Sequence, residues 1–264
     1  MAIQHTRPEH PLVDTHTHIY YHADSDELDE QMERCQEHGI DKLVLPNVDI
    51  DSIEKVFRTT DAYPERCFAM LGLHPCSVSE DYRQVLAHIE NEIPNRSICG
   101  IGEIGIDLYW DQSTLSWQQD AFVQQMKWST QLKLPISIHC RDAFDEVFHT
   151  IEQFSDPTLF GVFHCFTGDL QQAQRAIDLG LKLGIGGVVT FKNSGLDKVV
   201  SQIDPKHIVL ETDSPYLAPT PKRGKPNESS YLIHIAQKVA DLYQMSVSEL
   251  ARITTENARQ VFNF

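Results

Sequence analysis

Basic residues are scarce in this chain. Against 38 aspartates and glutamates it carries 22 lysines and arginines, for a formal net charge of −16. A protein that grips nucleic acid through broad phosphate neutralisation needs a basic surface. Any polyanion handled here must therefore meet cations concentrated near the site, and bound divalent metals would supply them. Long apolar runs are missing too. None approaches the roughly 20 residues of a membrane span, and the stretch from Met1 to His10 is polar, without an apolar signal-peptide region. The six cysteines (35, 67, 76, 99, 140 and 165) include no Cys-x-x-Cys pair. That argues against both a disulfide framework and a zinc ribbon. Several lie within apolar runs, where a reduced thiol packs as a small hydrophobe. A cytoplasmic protein, bound to no membrane, is the expectation.

No internal repeat, low-complexity tract or linker interrupts the 264 residues, so residues 1–264 read as one domain. What is present is an alternation. Strand-like runs at Leu12–Asp14, Lys42–Pro46, Cys67–Leu73, Ser97–Glu103, Leu134–His139, Phe160–His164, Leu181–Gly186 and His207–Thr212 are separated by helical stretches. The first helix is expected over Ser25–His38, with Leu28, Met32 and Cys35 on one face, Ser25 as its cap and Gly39 just beyond its end. Asp142 is expected to cap a helix that buries Val147, Phe148 and Ile151. Ser246-x-x-Glu249 reads as a capping box for the last helix. Eight strands alternating with helices predict a (β/α)8 TIM barrel, a fold that typically needs about 250 residues. An open doubly wound sheet would usually place a Gly-rich phosphate turn after its first strand. Here that place holds Asp14-Thr15-His16-Thr17-His18.

In an extended chain, residues two apart point to the same side. His16 and His18 therefore project together from the end of the first strand. Other strands end in comparable groups: Glu103 after the fourth, His139 after the fifth, His164 after the sixth and Asp213 after the eighth. The carboxyl ends of barrel strands form one rim, where catalytic residues collect. His16, His18, Glu103, His139, His164 and Asp213 make a four-nitrogen, two-carboxylate set that suits Zn²⁺, Mn²⁺ or Ni²⁺ better than Ca²⁺. One catalytic zinc usually takes three protein ligands, so six ligands suggest two ions with Glu103 as a shared bridge. The remaining histidines (5, 10, 22, 38, 88, 149, 207 and 234) read as ordinary hydrogen-bonding residues.

These residues carry a family likeness. The chain resembles the TatD-type metal-dependent deoxyribonucleases of the amidohydrolase-like superfamily. The matching pieces, in order, are Asp14-Thr15-His16-Thr17-His18, Gly72-Leu73-His74-Pro75, Gly102-Glu103-Ile104-Gly105-Ile106-Asp107, Ile138-His139-Cys140-Arg141-Asp142-Ala143, His164-Cys165-Phe166-Thr167-Gly168 and Glu211-Thr212-Asp213-Ser214-Pro215. Arg223-Gly224-Lys225, Asn227-Glu228 and Thr255-Glu256-Asn257-Ala258 fit as well. The resemblance implies a two-metal centre in which His16, His18, Glu103 and Asp213 hold one ion and Glu103, His139 and His164 the other. Mg²⁺, Mn²⁺, Zn²⁺ and Ni²⁺ are the candidate ions. It also implies that His74, Lys192 and Arg223 stand near the substrate phosphate, and that Glu211 contacts an additional ion. Two positions depart from the family pattern. Cys76 stands where the family often has a second histidine, and Ser229 where it commonly has proline.

The expected activity is divalent-metal-dependent phosphodiester hydrolysis by metal-activated water, with Asp213 and Glu103 as catalytic groups, and the resemblance implies that it is exonucleolytic on single-stranded DNA. Asp213 would hold the attacking water and take its proton. Lys192, Arg223 and Lys225 could reach a phosphate. Tyr109, Trp110 and Tyr216 could stack on bases, although packing within their loops is the plainer reading. No protein partner is called for. The alternative keeps the metals and changes the substrate to an amide or ester.

Overall fold

Each strand and the helix after it return the chain to the next place in one parallel sheet. The computed structural model describes residues 7–264; His5 and the first six residues lie outside that range. The strands are β1 (Leu12–Asp14), β2 (Ile40–Pro46), β3 (Cys67–Leu71), β4 (Gly100–Asp107), β5 (Ile136–Arg141), β6 (Gly161–Phe163), β7 (Leu181–Ile185) and β8 (Ile208–Leu210). They hydrogen-bond in sequence order, every pair parallel. The seam between first and last is closed by the Thr15 amide donating to the Leu210 carbonyl (3.0 Å) and the Asp213 amide to the His16 carbonyl (2.9 Å). The expected (β/α)8 barrel is the fold.

The helices are α1 (Glu27–Glu37), α2 (Ile50–Ala62), α3 (Tyr82–Glu92), α4 (Leu115–Leu132), α5 (Phe144–Phe154), α6 (Leu170–Asp178), α7 (Leu196–Val200), α8 (Leu232–Tyr243) and α9 (Val247–Phe262). Three begin with reciprocal capping boxes: Asp49 with Ser52, Asp169 with Gln172, and Ser246 with Glu249. Such boxes satisfy two otherwise orphaned groups at once. None of the described helices is long and apolar enough to cross a membrane.

Three expectations need correction. α1 starts at Glu27 behind Asp26, and Ser25 instead donates to the His22 carbonyl. Asp142 does not cap α5; Ala143 occupies that place, and Asp142 turns the chain with φ +51°. β5 runs on to Arg141, so the turn into α5 is tight, and Asp tolerates the left-handed conformation it requires. β4 extends four residues past its expected end, because Ile104–Asp107 pairs with Ile138–Arg141 beyond a register shift after Ile101. Glu103 therefore sits within β4 rather than at its tip. Gly105 permits this pairing, since a Cβ on it would meet the His139 carbonyl oxygen at 2.0 Å.

Two apolar clusters hold the barrel together. The larger lies mainly between strands and helices, around Leu43, Ile104, Phe122 and Phe148. The smaller joins Val13, Val44, Met70, Val162 and Val209, one from each of five strands, to Ala258, Val261 and Phe262 of α9. Thr255 donates to the Pro11 carbonyl (2.7 Å), and Asn257 donates to the carbonyls of Pro205 (2.9 Å) and Ile208 (2.7 Å). α9 thus stops the amino-terminal end of the barrel. The opposite rim remains for chemistry.

Candidate metal centre

Glu103 is the hub of that rim. It is 2 % exposed, and its two oxygens face different histidines. Oε2 lies 3.3 Å from His16 Nε2 and 3.7 Å from His18 Nε2. Oε1 lies 2.8 Å from His139 Nδ1 and 3.3 Å from both His164 Nε2 and His74 Nε2. Asp213 completes the group, with Oδ1 3.5 Å from His18 Nε2 and 3.9 Å from His16 Nε2. The chain turns there with φ +56° at Asp213. The rings of His16 and His164 stack with centroids 3.5 Å apart. All six expected ligands come together, and His74 joins them.

Behind the inward-facing atoms stands a set of oxygen partners. His16 Nδ1 is 3.2 Å from Ser137 Oγ, and His18 Nδ1 is 2.9 Å from the Tyr20 hydroxyl. His139 Nε2 donates to Asp107 Oδ2 (2.9 Å), and His164 Nδ1 donates to Glu211 Oε1 (3.1 Å). Partners of this kind fix the tautomer and the ring orientation of a metal-binding histidine. Glu211 Oε1 also accepts from the Cys165 amide at 2.6 Å. Its place needs Gly184, where a Cβ would come within 2.3 Å of Glu211 Oε2. Asp107, Ser137 and Tyr20 were not singled out from the sequence. The two-residue period was the available signal for two of them: Asp107 shares a strand side with Glu103, and Ser137 with His139.

The electrostatics are those of carboxylates and imidazoles held against one another in a buried cluster. Burial opposes the Glu103 carboxylate, but His74, His16 and His164 outweigh it and hold its pKa well below the usual range. Asp213 is also lowered: burial pushes it up, and the hydrogen bond from His18 with the charges of His164 and His16 pushes it further down. His139 and His164 are raised despite burial, the first chiefly by Asp107 and Glu103, the second by Glu211 and Glu103. His16 is lowered by burial and by His164 beside it.

The donor set fits metal ions. Among the described residues, His16 Nε2 and Glu211 Oε2 are buried and find no hydrogen-bond partner, a costly state for a polar atom. Among the described residues, three sets have donor atoms close enough to share an ion: His16, His18 and Asp213; His16, Glu103 and His164; His74, Glu103 and His139. Ligands arranged tetrahedrally at zinc-like bond lengths of about 2.1 Å sit about 3.4 Å from one another. The 3.3 Å separations of His16 and His164 from Glu103 match that spacing, while the 2.8 Å contact of His139 is a direct hydrogen bond.

The expected phosphate contacts divide. His74 lies within the cluster. Lys192 and Arg223 are exposed on the loops after β7 and β8, where the Arg223 guanidinium packs 3.9 Å over the Phe191 ring and donates to the Ala218 carbonyl. Tyr109 and Trp110 are 52 % and 72 % exposed, with the Arg141 guanidinium 3.6 Å over the Tyr109 ring. Their amides donate to Asp107 Oδ1. Tyr216 sets its ring edge-on against His18 at 5.9 Å.

A parallel (β/α)8 barrel with histidines and carboxylates gathered at its carboxyl-terminal rim is the architecture of metal-dependent hydrolases. Within that class the chain belongs to the TatD family: the family described as TatD related DNase matches residues 13–263. It is 34 % identical to the uncharacterized metal-dependent hydrolase YabD of Bacillus subtilis, over 95 % of this chain and 98 % of that one. It is also 34 % identical to a 3'-5' ssDNA/RNA exonuclease TatD of Yersinia pseudotuberculosis, over 87 % and 90 % of the two chains. The crystal structure of the TatD homologue YjjV from Escherichia coli superposes with a TM-score of 0.89 at 26 % identity, covering 96 % and 98 %.

Proposed function

We propose that this chain is a divalent-metal-dependent phosphodiesterase that shortens single-stranded DNA from an end. The observation that carries the reading is the division of labour on Glu103. Oε2 faces His16 and His18, with Asp213 beyond them, while Oε1 faces His139 and His164. That split supports two cations sharing one carboxylate. When bound, such ions supply Lewis acidity, making water a stronger acid and drawing charge from phosphoryl oxygens.

The chain's own residues set up the rest. Asp213, 14 % exposed at the side chain while Glu103 is 3 % exposed, is the more open of the two carboxylates. With its pKa lowered, it is ionised at neutral pH and can take a proton on a carboxylate oxygen. Lys192 and Arg223 offer positive charge beside the rim, and Tyr109, Trp110 and Tyr216 offer ring faces to bases. The relative named as a 3'-5' ssDNA/RNA exonuclease supports both substrate and mode. A second reading, hydrolysis of an amide or ester, draws on the net charge of −16 and on the engagement of Arg223 with Phe191 and Ala218.

The test is to strip the protein of metal, restore Mg²⁺, Mn²⁺, Zn²⁺ or Ni²⁺ separately, and assay single-stranded DNA labelled at either end. Stepwise shortening that needs metal and disappears in Asp213→Ala is the expected result. Intact DNA alongside turnover of an ester or amide panel would transfer the site to the second reading.

A further inference from the structure

Arginines in so acidic a chain are mostly spent on carboxylates. Arg34, Arg58, Arg83, Arg96 and Arg175 each pair with an aspartate or glutamate. Arg141, the last residue of β5, forms no such pair among the described residues. Its guanidinium lies instead 3.6 Å over the Tyr109 ring and 5.6 Å from the Trp110 ring. A stack of this kind uses the face of the guanidinium and leaves its N–H groups free to donate from the edge.

Several contacts fix this corner beside the cluster. The extension of β4 pairs Asp107 with Arg141, and the Leu108 amide donates to the Arg141 carbonyl (2.9 Å). Asp107 Oδ1 accepts the amides of Tyr109 (3.0 Å) and Trp110 (3.4 Å), while its Oδ2 meets His139. The two rings stand at 90° with centroids 4.9 Å apart. Trp110, 72 % exposed, therefore makes a wall next to the guanidinium. The Arg141 charge also reaches the thiols of Cys76 and Cys165, on the turns after β3 and β6, so it acts across the rim rather than outward from it.

We propose that Arg141, Tyr109 and Trp110 form a subsite for the nucleotide that flanks the bond to be cut, the guanidinium binding a phosphate of the strand and the Trp110 ring stacking on an unpaired base. This deepens the phosphodiesterase reading and rests on it. The planar fork of an arginine matches a phosphate with two parallel hydrogen bonds, which the point charge of a lysine does not. Arg223, by contrast, already donates to the Ala218 carbonyl. A base inside a duplex keeps its faces against its neighbours, so a stacking wall selects strands whose end base is free. One preorganised cation also suits a net charge of −16, which leaves no broad basic surface for the rest of the strand.

The experiment follows steady-state hydrolysis of single-stranded oligothymidylate, and of a blunt-ended duplex containing it, by the Mn²⁺-loaded full chain across a range of salt concentrations. Arg141→Ala should raise KM for the single strand by about 10–100-fold, the usual effect of losing a hydrogen bond to a charged group. It should also reduce the slope of log KM against log salt by about 0.7, the share of one phosphate contact on a single strand. Arg141→Lys should restore the slope but only part of the KM. Trp110→Ala should lower the ratio of single-strand to duplex kcat/KM by about 5–100-fold. Parental KM and slope in Arg141→Ala, or a parental ratio in Trp110→Ala, would overturn the proposal and leave the phosphodiesterase reading in place. Metal lost from Arg141→Ala would overturn it too, assigning the residue to the support of His139. A parent that shortens no DNA sinks that reading and the subsite together, and the parent alone reveals it.

Discussion

Asp107 Oδ2 stands 2.9 Å from His139 Nε2, on the side of the imidazole opposite Glu103. The same carboxylate accepts the amides of Tyr109 and Trp110 on Oδ1, at 3.0 and 3.4 Å. One side chain therefore ties a histidine of the cluster to the exposed aromatic loop. These hydrogen bonds, led by the one from His139, outweigh its burial and bring its pKa to about 2.

Replacing Asp107 with Ala should weaken metal binding by about 10–100-fold, the usual effect of losing such an outer partner. Asp107→Asn should fall between Ala and the parent, since the amide oxygen can still accept from Nε2. Chelator competition monitored by released metal gives the comparison.

Gly184→Ala should damage the same centre from the outside without removing any polar group. The new methyl would displace the Glu211 carboxylate from 2.3 Å and loosen its hold on His164. Overpacking of this kind typically costs about 1–3 kcal/mol of stability. Urea unfolding of the metal-free protein isolates that loss, and metal titration reports the effect on His164.

Metal uptake should release protons and weaken as pH falls. In the metal-free protein the pKa of His139 is raised by Asp107 and Glu103, and that of His164 by Glu211 and Glu103. A cation must displace a proton from each, so affinity is greatest above those pKa values and declines as pH drops through them. Calorimetry in buffers of different ionisation enthalpy counts the protons directly; a buffer-independent heat would contradict the expectation.

Asn257→Ala should destabilise the fold and spare the metal centre. Its side-chain amide, buried at 5 % exposure, donates to two carbonyls at the start of β8. Leaving them unpaired should cost about 1–3 kcal/mol. Denaturant midpoints would fall while metal stoichiometry below the transition stays unchanged.

Much of this centre could be read from the chain because a parallel barrel converts sequence position into spatial position. A histidine or carboxylate at a strand's carboxyl end arrives on one rim, so His16, His18, His139, His164 and Asp213 could be gathered without any contact being known. Glu103 was legible as a member of the cluster but misplaced along its strand, because the register shift that extends β4 depends on pairing with β5. His74 was legible as a site residue, but the Cys76 amide that donates to its Nδ1 was not, since no side-chain pattern records a backbone donor. Asp107 stood in a quoted motif but received no role, because it touches His139 from behind. The Asn257 contacts have no local signal at all, since their partners lie about fifty residues upstream. Ser25 and Asp142 misled for a simpler reason: both are good caps by residue type, but Ser25 spends its hydroxyl on the His22 carbonyl and Asp142 takes the left-handed turn directly after β5.

The barrel seam adds a consequence for how the molecule assembles. β1 and β8 meet through Asp14, whose carboxylate accepts the Thr212 amide and hydroxyl, and through the Thr17 and Ser214 hydroxyls. Directly above that join, His16 and His18 from the start of the chain face Asp213 from near its end. A cation shared among them would act as a rivet between the two ends of the fold, closing a loop that spans most of the polypeptide, where an added link restrains the unfolded chain strongly. Loading the centre and fastening the cylinder would then be one event, with β1 and β8 held together by an ion bound among His16, His18 and Asp213.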